Sequence, residues 1–394
     1  MITPNVGFRP NPGRAVYIQG TIDQSLLHRL TPRIVSLQNR SRDPITVYID
    51  SLGGSTFFAE ALRDLLAANN LDLAGPCRLI TVATTTVASA AADLLIAGDY
   101  ALAYPETRIL YHGVRNNLDI ALTAELASAL RERLKSTNDR YAVTLTHRAS
   151  QRFIWRFVSV RSEFDQVRNK YENSTMSDLD CFLDIVSENI SAPARRVLTS
   201  ARERTERYNA LVDRALKATA RSKRLRNAKR TADIEAVVIK AIVDFELVSN
   251  KSEQWTFEQV GLSQLTDDFF LLQEYFANVQ SPEFRRLCLL WANFLLTDDD
   301  QNELNTTSEE TRDDKIFEKV LPSLRPVWSF FVALCHVLQE GENELTATDA
   351  CWLGLIDEVV GLSEPTPLRY FVEFTPDVKP AQDELSTNEP SPDS

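Results

Sequence analysis

Short apolar, β-rich runs alternate with amphipathic stretches over the first 112 residues. Val16–Ile22, Ile45–Ile49, Arg78–Ala83 and Arg108–Tyr111 have the length and the Val, Ile, Leu and Thr content of buried strands. Phe57–Ala68 and Ala88–Ala97 fall between them and predict helices. Strand–helix alternation of this kind predicts an α/β domain with parallel strands. Beyond His112, leucines at 122, 126, 130 and 134 keep one side apolar and predict a long helix over Leu118–Thr146.

The pattern then changes. Residues 151–340 read as helical almost throughout. Ile234, Val237, Val238, Ala241, Ile242 and Phe245 fall on one helical face. Ser281-Pro282-Glu283 supplies an N-cap, a first-turn proline and a first-turn acid. Asp298 to Asp314 predicts a polar acidic loop, and Lys315–Gln339 a helix interrupted around Pro322 and Pro326. With Trp155, Trp255, Trp291 and Trp328, this stretch carries enough large apolar residues for its own core. The expected organisation is an α/β core over residues 1–150 and 341–379, an all-helical inserted domain over 151–340, and a disordered Pro- and acid-rich tail over 380–394. An insertion into a loop costs little when its two ends lie close together.

Composition narrows the functional classes. A chain of 394 residues with 44% hydrophobic and 25% charged content is that of a soluble globular protein with room for two cores. A net charge of −12 argues against a general binder of nucleic acid or anionic membranes. Val82–Ala97, the most apolar stretch, is too short to span a bilayer and contains Asp93. Residues 1–14 are polar with three prolines, so no leader is expected and the location is read as cytoplasmic. Five scattered cysteines with no CxxC pair read as buried thiols in a reducing compartment. No phosphate-binding loop and no cluster of His and Cys ligands is evident, so neither a cofactor nor a metal is expected. One segment runs against the overall charge: Arg195–Arg230 holds thirteen basic and three acidic residues, a local balance of +10. It reads as a solvated helix face paired with the acidic loop, or as a docking surface for an acidic partner or nucleic acid.

Three short segments carry chemistry. Ser89 opens an alanine-rich helix directly after a β-run, a position where a helix N-terminus favours an oxyanion. His112 closes the next strand, and an unperturbed imidazole titrates close to what a general base requires. Upstream, Ile45–Asp50 runs into Ser51-Leu52-Gly53-Gly54-Ser55, where a bare backbone can bend and point N–H groups into a cleft. By residue type alone, the serine could be a plain N-cap, the histidine structural and the glycines an ordinary turn.

In this order the segments resemble ClpP, the proteolytic-subunit family of the Clp protease. The family has a glycine-rich "SPGGS"-like turn, a serine in an "ASMG" turn, a histidine ending an "RIMIH"-like strand, and a late helix and strand. The last block is legible as Leu345-Thr346-Ala347-Thr348-Asp349-Ala350-Cys351-Trp352-Leu353-Gly354-Leu355-Ile356-Asp357. The resemblance covers roughly residues 15–150 and 341–361. It implies an α/β ClpP/crotonase-like core of repeated β-β-α units and a serine peptidase. Ser89 would be the nucleophile, His112 the base, Glu342 the triad acid, and the Gly54 and Ala90 N–H groups the oxyanion hole. Glu340, Glu344 and Asp357 stay open as alternative acids. The resemblance further implies a peptide or protein substrate, self-association through the long helix, and a separate ATPase or regulatory partner. Three departures stand out: Ala90-Ala91 replaces Met-Gly, Glu342 stands where the family has aspartate, and Gly113–Asn117 replaces a glycine-rich strand. Two rival readings are a catalytically silent scaffold whose helices bind a partner, and a crotonase-type enzyme acting on acyl-CoA thioesters.

Overall fold

A computed structural model describes residues 9–68, 75–115, 123–159, 178–220, 292 and 309–362. Seven strands form one mixed sheet: β1 (Ala15–Gln19), β2 (Ile45–Ser51), β3 (Leu79–Ala88), β4 (Tyr100–Ala103), β5 (Arg108–His112), β6 (Glu342–Thr346) and β7 (Glu358–Val359). β1, β2, β3, β4 and β7 run parallel in that spatial order. The α/β architecture read from the alternating pattern is the one found.

The topology turns on β3. Its first half, Ile80–Ala83, pairs with β4, and its second half, Thr86–Ala88, pairs with β5. The strand is therefore longer than the expected Arg78–Ala83, because Thr84-Thr85-Thr86-Val87 extends the β-branched run. β5 carries β6 antiparallel on its far side, with His112 opposite Glu342. Where β3 changes partner, its carboxyl end lies beside that of β5, the kind of position at which open α/β sheets bind ligands.

Helices α1 (Gln24–Arg40), α2 (Thr56–Leu66) and α3 (Ala90–Ile96) connect the first strands. α1 is capped by the Asp23 side chain on the Leu26 N–H and buries Leu26, Leu30, Ile34 and Leu37 at helical spacing. After β5 come α4 (Ala124–Ser159), α5 (Asp178–Asn189), α6 (Ala192–Ala220) and α7 (Glu309–Leu338). α8 (Ala347–Trp352) then opens with a full capping box between Thr346 and Asp349.

α7 runs unbroken through Pro322 and Pro326, where the proline pattern predicts an interruption. Leu324, Val327, Trp328, Phe330 and Phe331 are buried along it, and that burial outweighs the two missing N–H donors. The expected boundary at 150/151 falls inside α4. There the Arg152 guanidinium meets Asp357 at 2.8 Å and donates to the carbonyls of Ile96, Gly98 and Leu355. Ile18, Leu95, Phe153, Val186, Leu198, Trp328 and Leu355 belong to one continuous apolar core, so sheet and described helices are packed together. The face at 234–245, the helix after Ser281, Trp255, Trp291, most of the acidic loop and the tail lie outside the described residues.

Within the basic segment, Arg202 pairs with Asp180 and Asp184, and Arg204 with Glu340. Cys77, Cys335 and Cys351 are buried, and burial pushes the Cys335 thiol up to about 12. Among the described residues no helix is long and apolar enough to cross a membrane.

Candidate active site

Ser89 sits at the junction of β3 and α3 with φ 57° and ψ −132°. Among the described residues it is the one non-glycine position with positive φ. A serine gains nothing from that conformation, which costs on the order of 1–3 kcal/mol and persists only where its surroundings impose it. Its side chain makes no capping bond to the helix. Its N–H instead donates to the Leu110 carbonyl of β5 at 2.9 Å, fixing the junction against the neighbouring strand.

The glycine turn supplies the opposing wall. A Cβ on Gly53 would lie 2.7 Å from both the Ser89 Cβ and the Ala88 carbonyl, so only glycine fits beside the serine. A Cβ on Gly54 would lie 2.3 Å from the Ile22 carbonyl. The Gly53 N–H is already committed to the Ser51 Oγ at 3.0 Å. The Gly54 N–H has no partner among the described residues, and Ala90, as the first residue of α3, carries one of the helix's orphan N–H groups.

His112 ends β5, half-buried, two positions past the Leu110 that binds Ser89. Both side chains thus stand at the carboxyl ends of adjacent parallel strands. They make no hydrogen bond to each other, a looseness common in ligand-free sites. The His112 Nδ1 lies 2.7 Å from the Gly113 carbonyl. Glu342 faces His112 in the β5–β6 register, but its exposed carboxylate bonds the Arg115 guanidinium. That hydrogen bond, with the charge behind it, holds the Glu342 carboxyl below the usual range, and His112 adds a smaller push the same way. Of the other acids considered, Glu340 pairs with Arg204, Glu344 with Arg108, and Asp357 is buried with Arg152 and the Ala101 N–H. The remaining histidines, His28, His147 and His336, lie on α1, α4 and α7, away from the strand ends.

One feature is absent from the sequence reading. A cavity of about 480 Å³ runs along α3 between α2 and α4, lined by Ala90, Asp93, Glu60, Arg63, Tyr141 and Arg148 among others. Asp93 lies one turn beyond Ser89, and burial raises its carboxyl to about 7 despite a 3.4 Å hydrogen bond from Gln339. A lone acid inside the apolar helix Ala90–Ile96 was the available signal.

Comparison with known proteins bears on the α/β core. Residues 11–152 match the sequence model of the Clp protease family. The chain is 34% identical over 128 residues to the ATP-dependent Clp protease proteolytic subunit 2 of Gluconobacter oxydans (strain 621H), covering 31% of this chain and 56% of the relative. It is 30% identical over 128 residues to the ATP-dependent Clp protease proteolytic subunit 3 of Rhizobium meliloti (strain 1021), covering 31% and 63%. The chain therefore spans less than two thirds of either curated relative. Its α/β core is ClpP-like.

Proposed function

We propose, from this ClpP-like core, that the protein is a serine hydrolase of peptide bonds with Ser89 as nucleophile and His112 as general base. The observation that carries the reading is Ser89 held at positive φ against a glycine that leaves no room for a side chain. Such a turn lifts a hydroxyl off the backbone surface, where a carbonyl carbon can approach. As Oγ attacks, its proton passes to the His112 ring, and the carbonyl oxygen gains charge facing the Gly54 and Ala90 N–H groups. The amine leaves with the proton from His112. A water then repeats the sequence on the acyl-enzyme and frees Ser89. Glu342 stands opposite His112 in the β5–β6 register, but its carboxylate is engaged by Arg115.

The implied partners follow the same reading. The substrate is an extended peptide or unfolded protein, and a folded substrate would need a separate ATPase. Self-association would use the first half of α4, where Leu126, Leu130 and Leu134 are only half-buried. The segment 151–340 would be a helical insertion docked on the core, and the location cytoplasmic.

A second reading, a catalytically silent scaffold, is favoured by one observation: the Glu342 carboxylate is engaged by Arg115 and not by His112. One experiment separates the two. Short fluorogenic peptides of varied sequence are offered to the wild-type chain and to Ser89→Ala. Hydrolysis by the wild type that the variant lacks supports the peptidase. Equal rates across the set leave the scaffold.

A further inference from the structure

The bond between His112 and its neighbour has a consequence for how the base is oriented. A carbonyl oxygen only accepts hydrogen bonds, so an Nδ1 at 2.7 Å from the Gly113 carbonyl carries the ring proton. That leaves Nε2 as the lone-pair nitrogen, the state a base needs. In a Ser-His-acid triad a carboxylate performs this service. Here the Glu342 carboxylate is held by Arg115, and both side chains stand more than half in solvent.

Gly113 itself is clamped. A Cβ added to it would lie 2.6 Å from the Gln339 carbonyl and 2.8 Å from the Asn138 Nδ2. The next N–H, of Val114, donates to the Asn138 Oδ1 at 2.8 Å. Asn138 is on α4, and Gln339 follows the last turn of α7, bonded back to the carbonyls of Cys335 and His336. The Gln339 side chain is buried and reaches Asp93 on α3, one turn beyond Ser89. A single residue therefore touches both the backbone that holds the base and the helix that carries the nucleophile.

We infer that the Gly113 carbonyl, and not a carboxylate, fixes the tautomer and orientation of His112, with Asn138 and Gln339 as positioning residues that hold Gly113 in place. The inference rests on the serine-hydrolase reading for its catalytic meaning, and on geometry alone for the tautomer. Glu342 then becomes dispensable for the base.

The test uses the full chain labelled with ¹⁵N-histidine. The His112 ring resonances are assigned by their loss in His112→Gln, and its tautomer is read from the ring nitrogen shifts at pH 8. A fluorophosphonate measures the reactivity of Ser89 in parallel. In Glu342→Gln, His112 is expected to keep the Nδ1–H tautomer, and labelling to stay within about threefold of wild type. In Asn138→Ala the tautomer ratio is expected to move and labelling to slow at least about tenfold. A tautomer change in Glu342→Gln, or a labelling loss approaching the ~10⁴-fold of a triad lacking its carboxylate, would overturn the inference. Because Glu342 is exposed, this variant decides the matter even where Asn138→Ala fails to fold. Absence of labelling in the wild type would remove the hydrolase reading, and the tautomer measured in Glu342→Gln would still decide the orientation.

Discussion

Asp93→Asn is the perturbation whose effect the structure specifies most closely. Burial on α3 raises the Asp93 carboxyl from 3.8 to about 7. Between those values the native state keeps a proton that the unfolded chain has released. By linkage, this group lowers stability as pH climbs from about 4 to 7, and the cost is complete above about 7. Roughly three pH units at 1.36 kcal/mol each give a ceiling of about 4 kcal/mol. Asp93 is only half-buried and borders the cavity along α3, so the ceiling is discounted for screening and roughly 2 kcal/mol is expected. An asparagine keeps the shape and an acceptor for Gln339 but has no proton to lose. Urea unfolding of both proteins at pH 5, 6, 7 and 8, followed by tryptophan fluorescence, isolates the term as a difference. The variant's advantage over wild type should grow by roughly 1 kcal/mol between pH 5 and 7, level off by pH 8, and total roughly 2 kcal/mol there. A gap independent of pH, or a wild type that gains on the variant above pH 7, would refute a buried carboxyl that resists ionisation.

Other perturbations follow from the same contacts. Ser89→Gly should be more stable than Ser89→Ala by about 1 kcal/mol in thermal melts, since glycine alone occupies φ 57° without strain. Gly54→Ala should lose Ser89 reactivity, because its Cβ would lie 2.3 Å from the Ile22 carbonyl and displace the turn, readable as loss of phosphonate labelling. Arg152→Met should cost about 3–5 kcal/mol in denaturant unfolding by stranding the fully buried Asp357 carboxylate. Light scattering at micromolar concentration should show an oligomer that Leu130→Glu weakens.

The parts of this molecule legible in sequence are those fixed by local chemistry. The β-branched runs of β1, β2 and β5 announce themselves, and Thr346 and Asp349 mark the start of α8 three residues apart. Ser89, His112 and the Gly53-Gly54 turn stand out because their residue types are expensive or unusual at strand ends. β4 was not legible: Tyr100–Ala103 is four buried residues, too short for any period. The continuity of α7 through two prolines is set by tertiary burial, which no local rule contains. Arg152 and Asp357 are 205 positions apart, and the Gly113 clamp joins α4 to the end of α7 across a similar distance. The Arg115 hold on Glu342 is equally invisible, since it depends on where a loop returns to the β5–β6 edge.

The central claim, that His112 activates Ser89, has one direct test. Wild type and His112→Gln are exposed to a fluorophosphonate at pH 7.5, the second-order rate is followed by intact mass, and the modified residue is identified by peptide sequencing. A single adduct on Ser89, formed at least about 10²-fold faster in wild type than in His112→Gln, is the predicted result. Equal rates in the two proteins, or an adduct on any other residue, would contradict it.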